Sequence, residues 1–217
     1  MRINLSKAGK RFNRDWIFRK ADLTFLPGKT YAITGPNGSG KSTLLQALAG
    51  SLEISEGKIE WHNKDVSVDA DDVYQHLTIA APYVEVIEEM TAIEFLQFHQ
   101  QFKPFFKEIS IKEIIKLVGL EKAAAKQIRY YSSGMKQRIK LAQAIFSNVP
   151  LLLLDEPCTN LDASGYELYH QLIRDFTKNK TIIVSSNDAN EFSFCENVIS
   201  IMDYKLPNLK GADNLNT

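Results

Sequence analysis

The sequence predicts an α/β fold: a core of mostly parallel strands around a phosphate-binding loop, with an N-terminal antiparallel β subdomain and an inserted helical subdomain. Three observations predict it. Residues 35 to 43, Gly-Pro-Asn-Gly-Ser-Gly-Lys-Ser-Thr, match the pattern G-x-x-x-x-G-K-[ST], with an apolar strand-like run before it and a helix-like run after it. Four consecutive leucines, Leu151 to Leu154, run into Asp155 and Glu156, as expected of a strand buried on both faces and ending at a functional edge. Between about Thr91 and Ile145 the hydrophobic spacing becomes helical.

The 217 residues suffice for one sizeable core, and the chain reads as a single unit over 1–217 with a helical lobe at about 84–146. From Arg2 to Leu26 short β-like runs are broken by Gly9, Asn13 and Asp15 and closed by Pro27-Gly28, predicting antiparallel strands beside the core. Lys29 to Thr34 reads as a buried strand and Ser42 to Ala49 as the helix after the loop. Gly57 to Trp61 is strand-like, and Leu77 to Ala81 is a core strand that ends at Pro82. In the helical lobe Ile93, Phe95, Leu96 and Phe98, then Ile111, Ile114, Ile115, Leu117 and Val118, are expected to face the core. No repeat or low-complexity tract appears, and only the polar tail after Leu206 reads as loose.

The loop fixes the ligand class as a nucleotide, and the core as that of a P-loop NTPase. Gly35, Gly38 and Gly40 allow backbone angles that turn successive N–H groups around a phosphate, with Pro36, Asn37 and Ser39 completing the wall. Lys41 supplies a point charge for the outer phosphates, the following helix adds its N-terminal amides, and Thr43 continues the pattern. Ser42 is placed to bind Mg2+ through its hydroxyl. In the leucine strand Asp155 is the second magnesium candidate, and Glu156 the group that polarises water toward the γ-phosphate of a bound nucleotide.

Composition narrows the partners. Twenty-six basic residues balance twenty-six acidic ones, so no overall electrostatic footprint for nucleic acid exists and none is expected as partner. No run approaches the roughly twenty apolar residues that span a bilayer, and Met1 to Lys7 lacks a signal-peptide core. Cys158 and Cys195 lack metal-ligand spacing and read as packing residues in a reducing compartment. His62, His76, His99 and His170 likewise read as ordinary surface or satisfied histidines.

Between the two nucleotide motifs lies Tyr131-Ser132-Ser133-Gly134-Met135-Lys136-Gln137-Arg138, and Asn160-Leu161-Asp162 follows the acidic pair. With these four segments the chain, over roughly Leu5 to Ile201, resembles the nucleotide-binding subunit of ABC transporters. The resemblance implies that Tyr131 to Met135 is the family signature, which caps the γ-phosphate held by an opposite subunit. Ser132 and Gly134 would then be nucleotide contacts in a head-to-tail homodimer, or a heterodimer with another ATPase subunit. By itself the stretch reads as an N-capped helix. Asn160 to Asp162 matches the family's interface loop. Phe12 falls where an aromatic residue stacks on adenine, with Trp16 in that role, or a core role for Phe12, left open.

Within the signature Tyr131, Ser133 and Met135 depart from the family's usual residues, and two further departures matter more. Tyr83 stands where a glutamine usually touches magnesium and water, with Gln75 too far upstream to replace it, and Asn187 where a histidine usually grips the γ-phosphate. Asn187 can donate through its amide but cannot carry charge, so hydrolysis is expected to be slow. The resemblance further implies separate membrane-spanning transporter subunits as partners, and a place in the cytoplasm, peripheral on the cytoplasmic face of the membrane. The surface from Tyr83 to Phe102 would receive the partner, and the short form and signature suggest the exporter type. The competing class is a soluble ABC-type ATPase acting as a regulatory or mechanical switch, whose usual second ATPase half, coiled coil or basic arm is not seen. A small P-loop kinase or GTPase is disfavoured by the signature segment and by the lack of Asn-Lys-x-Asp.

Overall fold

The computed structural model describes residues 1–205 and arranges them as two sheets with helices between and around them; the expectation for the tail after Leu206 lies outside the described residues. The chain runs β1 (Arg2–Phe12), β2 (Asp15–Phe25), β3 (Thr30–Thr34), α1 (Lys41–Leu48), β4 (Glu56–Asn63), β5 (Val66–Val68) and β6 (Leu77–Ala80). The helical stretch α2 (Ala92–Phe102), α3 (Ile111–Leu117) and α4 (Ser133–Phe146) follows. Then come β7 (Leu151–Asp155), α5 (Ala163–Phe176), β8 (Thr181–Ser185) and β9 (Asn197–Ser200).

The first sheet is antiparallel in the order β2-β1-β4-β5, and the second is parallel in the order β6-β7-β8-β3-β9. This is the α/β architecture that the sequence predicts, an antiparallel subdomain beside a parallel P-loop core. The leucine strand lies inside the parallel sheet, with Leu151 to Leu154 all buried. Because side chains alternate across a strand, Leu152 and Leu154 pack into the core on the helical side. Leu151 and Leu153 pack into the core shared with α1 and the antiparallel sheet. The registers Ala80↔Leu154 and Asp155↔Ser185 carry β6, β7 and β8 to a common carboxyl-terminal edge. Ligands of open parallel sheets bind at that edge.

The helices are capped by their own sequence. Thr91 with Glu94 and Ser110 with Glu113 form reciprocal capping boxes at the starts of α2 and α3. Ser132 caps α4 through the Met135 amide, and Asp162 caps α5 through the Gly165 amide at 2.8 Å. One inward assignment fails: Phe98 is 40% exposed and stacks edge-on against the exposed Phe102, because Phe95 and Leu96 already fill the buried face of α2. The edge strand β9 and the hairpin partner β5 are also absent from the sequence reading. Both are three or four residues long and carry little apolar pattern.

His99 on α2 donates or accepts at 2.8 Å with Ser147 Oγ, which itself donates to Gln143 O, so the neutral imidazole with its proton on Nε2 completes the chain. Burial first, then Lys103, pushes its pKa down to about 4. The unfolded imidazole takes up its proton near 6.5. Between those values the unfolded chain therefore binds more protons, and stability falls as pH falls from about 6.5 toward 4. Urea unfolding at a series of pH values is expected to show that slope, and a His99→Gln variant to flatten it.

Candidate nucleotide site

The P-loop joins β3 to α1, and its conformation excludes side chains at two points. Gly40 has φ 102° and Gly35 φ 146°; a Cβ on Gly40 would lie 2.2 Å from Ile17 Cγ2, and one on Gly35 2.5 Å from Ile201 Cγ2. The loop is thus pressed against β2 on one side and the segment after β9 on the other. Lys41 is buried, its Nζ 2.8 Å from Gly35 O, which holds the ammonium along the inner wall of the loop. Ile17, Asn37, Gly38, Gly40, Lys41, Ser42, Thr43 and Glu156 line a cleft of about 220 Å³. Six of the sequence-predicted loop residues, Asn37, Gly38, Gly40, Lys41, Ser42 and Thr43, are thereby brought together with Glu156, more than a hundred positions away, while Gly35, Pro36 and Ser39 lie outside the lining.

Asp155 ends β7 almost fully buried, and its Oδ1 has no hydrogen-bond partner. A buried carboxylate oxygen left without a donor is costly unless a cation or donor meets it. With the Ser42 hydroxyl lining the adjacent cleft, the donor set is all oxygen, which fits Mg2+. Glu156 follows at φ 45°, in the left-handed region that few non-glycine residues occupy. Its N–H donates to Ser185 O at 2.9 Å, and its carbonyl accepts from the Thr159 hydroxyl at 2.9 Å.

Tyr83 lies three residues past the end of β6, which pairs with the strand that carries Asp155. Burial of its hydroxyl, then the Asp155 charge, pushes its pKa up to about 12, with a hydrogen bond from Gln46 opposing. Its phenol is therefore a neutral donor beside the acidic strand end. Asn187 is placed against the P-loop: its Oδ1 accepts from Gly35 N–H at 3.2 Å and its Nδ2 donates to Asn37 Oδ1 at 2.9 Å. The amide thus clasps the loop. Phe12 is 48% exposed at the β1–β2 hairpin end, with the Lys10 ammonium 5.1 Å from its ring centroid, so a core role is ruled out. Trp16 carries the Arg19 guanidinium over its ring at 4.4 Å.

Ser132 and Gly134 stand elsewhere. With Ser133, Met135, Arg138, Asn160, Leu161 and Asp162 they border a second depression of about 290 Å³ that shares no residue with the first cleft. Gly134 faces Asn160 O, 3.0 Å from where a Cβ would lie, and Asn160 is left-handed at φ 65°. Hydrogen bonds from the Ser164 hydroxyl and the Gly165 amide, with Arg138 nearby, hold the Asp162 carboxyl below its usual range. The start of α4 and the loop after Glu156 thus form one surface.

Sequence reasoning did not single out Gln137 or Glu191. Gln137 is buried on α4 and donates to Pro157 O at 2.6 Å; Glu191 is buried beyond β8 and accepts from Cys158 N–H at 2.8 Å. The signal for Gln137 was present: it is a polar residue in the inward stripe Gln137, Leu141, Ile145.

A P-loop and an acidic strand end at one edge of a parallel sheet, with a separate helix start offering amides and a hydroxyl, define a nucleotide-binding protein of the P-loop NTPase class. The family profile for ABC transporters matches residues 18–159. Over 179 residues the chain is 32% identical to the cytochrome c biogenesis ATP-binding export protein CcmA of Aliivibrio fischeri, covering 81% of this chain and 86% of that protein. It is 27% identical over 200 residues to the lantibiotic transport ATP-binding protein SrtF of Streptococcus pyogenes, covering 87% and 81%. Among solved structures, the dimeric form of a bacterial ABC transporter cassette matches with TM-score 0.78 and 25% identity over 91% of this chain and 93% of that one. The chain belongs to the ABC transporter family, as an ATP-binding subunit. No helix among the described residues is long and apolar enough to cross a membrane.

Proposed function

We propose that this chain is the ATP-hydrolysing subunit of an exporter-type transporter and works as a head-to-tail dimer. The observation that carries this reading is the separation of two half-sites. The P-loop cleft holds Lys41, Ser42 and Glu156, while Ser132, Gly134 and Asn160 to Asp162 border a different depression. A phosphate in the first cleft is covered only if a second subunit brings its own α4 start over it, where free amides and the Ser132 hydroxyl favour an anion.

In that arrangement Gly35 to Gly40 wrap the phosphates with backbone N–H groups, and Lys41 leaves the loop carbonyls to pair with the outer ones. Ser42 and Asp155 would hold Mg2+, which neutralises phosphate charge when bound. Glu156 orients a water and takes its proton as the water oxygen bonds to the γ-phosphorus and the bond from that phosphorus to the bridging oxygen breaks, with ADP leaving. Phe12 would stack on adenine from the hairpin end. Exposed Tyr83, Ile87, Phe98 and Phe102 provide an apolar surface for a segment of the membrane-spanning subunits. Export is supported by the names of two relatives, an export protein and a lantibiotic transport protein. A place on the cytoplasmic face of the membrane follows from the same reading.

Hydrolysis is slow in this proposal. Asn187 spends its amide on Asn37 and brings no positive charge to the γ-phosphate, and Tyr83 offers a phenol in place of a carboxamide. Loss of one preorganised donor costs about a hundredfold. At saturating ATP, Asn187→His is expected to raise turnover about tenfold, part of that loss. Unchanged or lower turnover in the folded variant would count against this explanation, as would a wild-type rate equal to that of Glu156→Gln.

A further inference from the structure

The turn that carries Glu156 is held from outside by two buried side chains, Gln137 and Glu191. Glu156 is left-handed, and such a backbone persists only where its surroundings over-determine it. Within the turn, Thr159 bonds back to the Glu156 carbonyl. From outside, Gln137 Nε2 reaches Pro157 O at 2.6 Å, and the Glu191 carboxylate receives Cys158 N–H at 2.8 Å. Pro157 and Cys158 are themselves buried, so no water substitutes readily for either partner.

The origin of the Gln137 bond gives it a further consequence. Gln137 sits on α4, four residues from the helix start bordered by Gly134 and Asn160. The same helix reaches the other loops at this edge: Lys140, one turn on, donates to the Ala81 and Pro82 carbonyls just ahead of Tyr83. Arg138 donates to Ser164 Oγ at 3.3 Å. Positions three apart lie on one helix face. A rigid displacement of α4 therefore pulls at once on the backbone that follows Asp155, at Pro157, and on the loop after the neighbouring strand β6, at Ala81 and Pro82.

We infer that Gln137 and Glu191 are positioning residues that aim Glu156, and that Gln137 ties that aim to what occupies the start of α4. The inference rests on the proposed role of Glu156 and deepens it. Contact of α4 with nucleotide from the opposite subunit would thus be sensed by the glutamate of its own cleft, through one hydrogen bond rather than through a chain of packing contacts. Glu191 anchors the turn from the opposite side and keeps the pull from being absorbed by the loop.

The test uses the full chain with Gln137→Met, which keeps the volume and removes the amide, beside Glu191→Gln, which keeps an acceptor, and Glu191→Met, which does not. Affinity for a fluorescent ATP analogue, kcat and KM, and hydrogen exchange at the amides of residues 156 to 161 are measured on each. Gln137→Met is expected to exchange faster there and to lose between about tenfold and a hundredfold in kcat at unchanged analogue affinity. Glu191→Gln is expected to keep most of its turnover, while Glu191→Met loses it. In a Glu156→Gln background, Gln137→Met should lower turnover no further. A folded Gln137→Met protein with wild-type kcat and exchange overturns the inference, as does an equal loss in both backgrounds. Should Gln137→Met not fold, the contrast between the two Glu191 variants decides. Normal turnover by Glu156→Gln alone would instead strike at the role of Glu156, while the exchange result would still report on the geometry.

Discussion

Glu156→Gln is expected to lower ATP turnover by at least about a hundredfold, the lower end of what a positioned general base contributes, while leaving ATP affinity within a few-fold of wild type. The amide fills the same space at the mouth of the cleft, next to Lys41, Ser42 and Thr43, but cannot accept a proton from water. The backbone bonds of the turn, Glu156 N–H to Ser185 O and Thr159 to Glu156 O, do not depend on the carboxylate. The left-handed turn is therefore retained. Steady-state phosphate release read beside equilibrium binding of a fluorescent nucleotide separates the two effects. Parallel loss of binding and turnover would mean that the carboxylate shapes the cleft rather than activating water.

Leu152→Ala is expected to cost about 2–5 kcal/mol, a large share of the roughly 5–15 kcal/mol that holds a typical domain folded. Leu152 is fully buried in the middle of β7, with β6 paired on one side and β8 on the other, and its side chain lies in the core on the helical side. Neither flanking strand can move in to close the void without breaking its ladder. The same strand ends in Asp155 and Glu156, so the site is built on the least yielding part of the sheet. A urea midpoint well below wild type with an unchanged slope is the expected result; a change under about 1 kcal/mol would mean that the sheet repacks.

The sequence is most readable where a function forces both residue type and spacing. The P-loop between β3 and α1, the leucine strand with its acidic end and the capped start of α4 are all where the residues indicate, because each combines an apolar or helical pattern with chemistry at a fixed offset. Short elements without such a pattern are not: β5 and β9 depend on neighbours for their pairing, and Phe98 faces outward because Phe95 and Leu96 complete the packing of α2. In the site, the hydrogen bonds of Asn187 with Gly35 and Asn37 are not legible in the sequence, because they arise from how the ends of β3 and β8 lie side by side, a tertiary fact. Glu191 was silent for the same reason: it bonds a backbone group of a distant turn, and a backbone partner leaves no mark in a sequence; Gln137 shows only as a polar residue in the inward stripe of α4, with no sign of what it bonds.

The two half-sites are expected to meet only between subunits. Sedimentation velocity of the Glu156→Gln protein, with and without saturating ATP and magnesium, tests this most directly. Slowed hydrolysis should trap the closed form, giving a nucleotide-dependent dimer that a Ser132→Glu substitution abolishes by placing a negative charge against the phosphate. A protein that binds ATP tightly yet sediments as a monomer at every concentration, or a dimer indifferent to both nucleotide and Ser132→Glu, would contradict it.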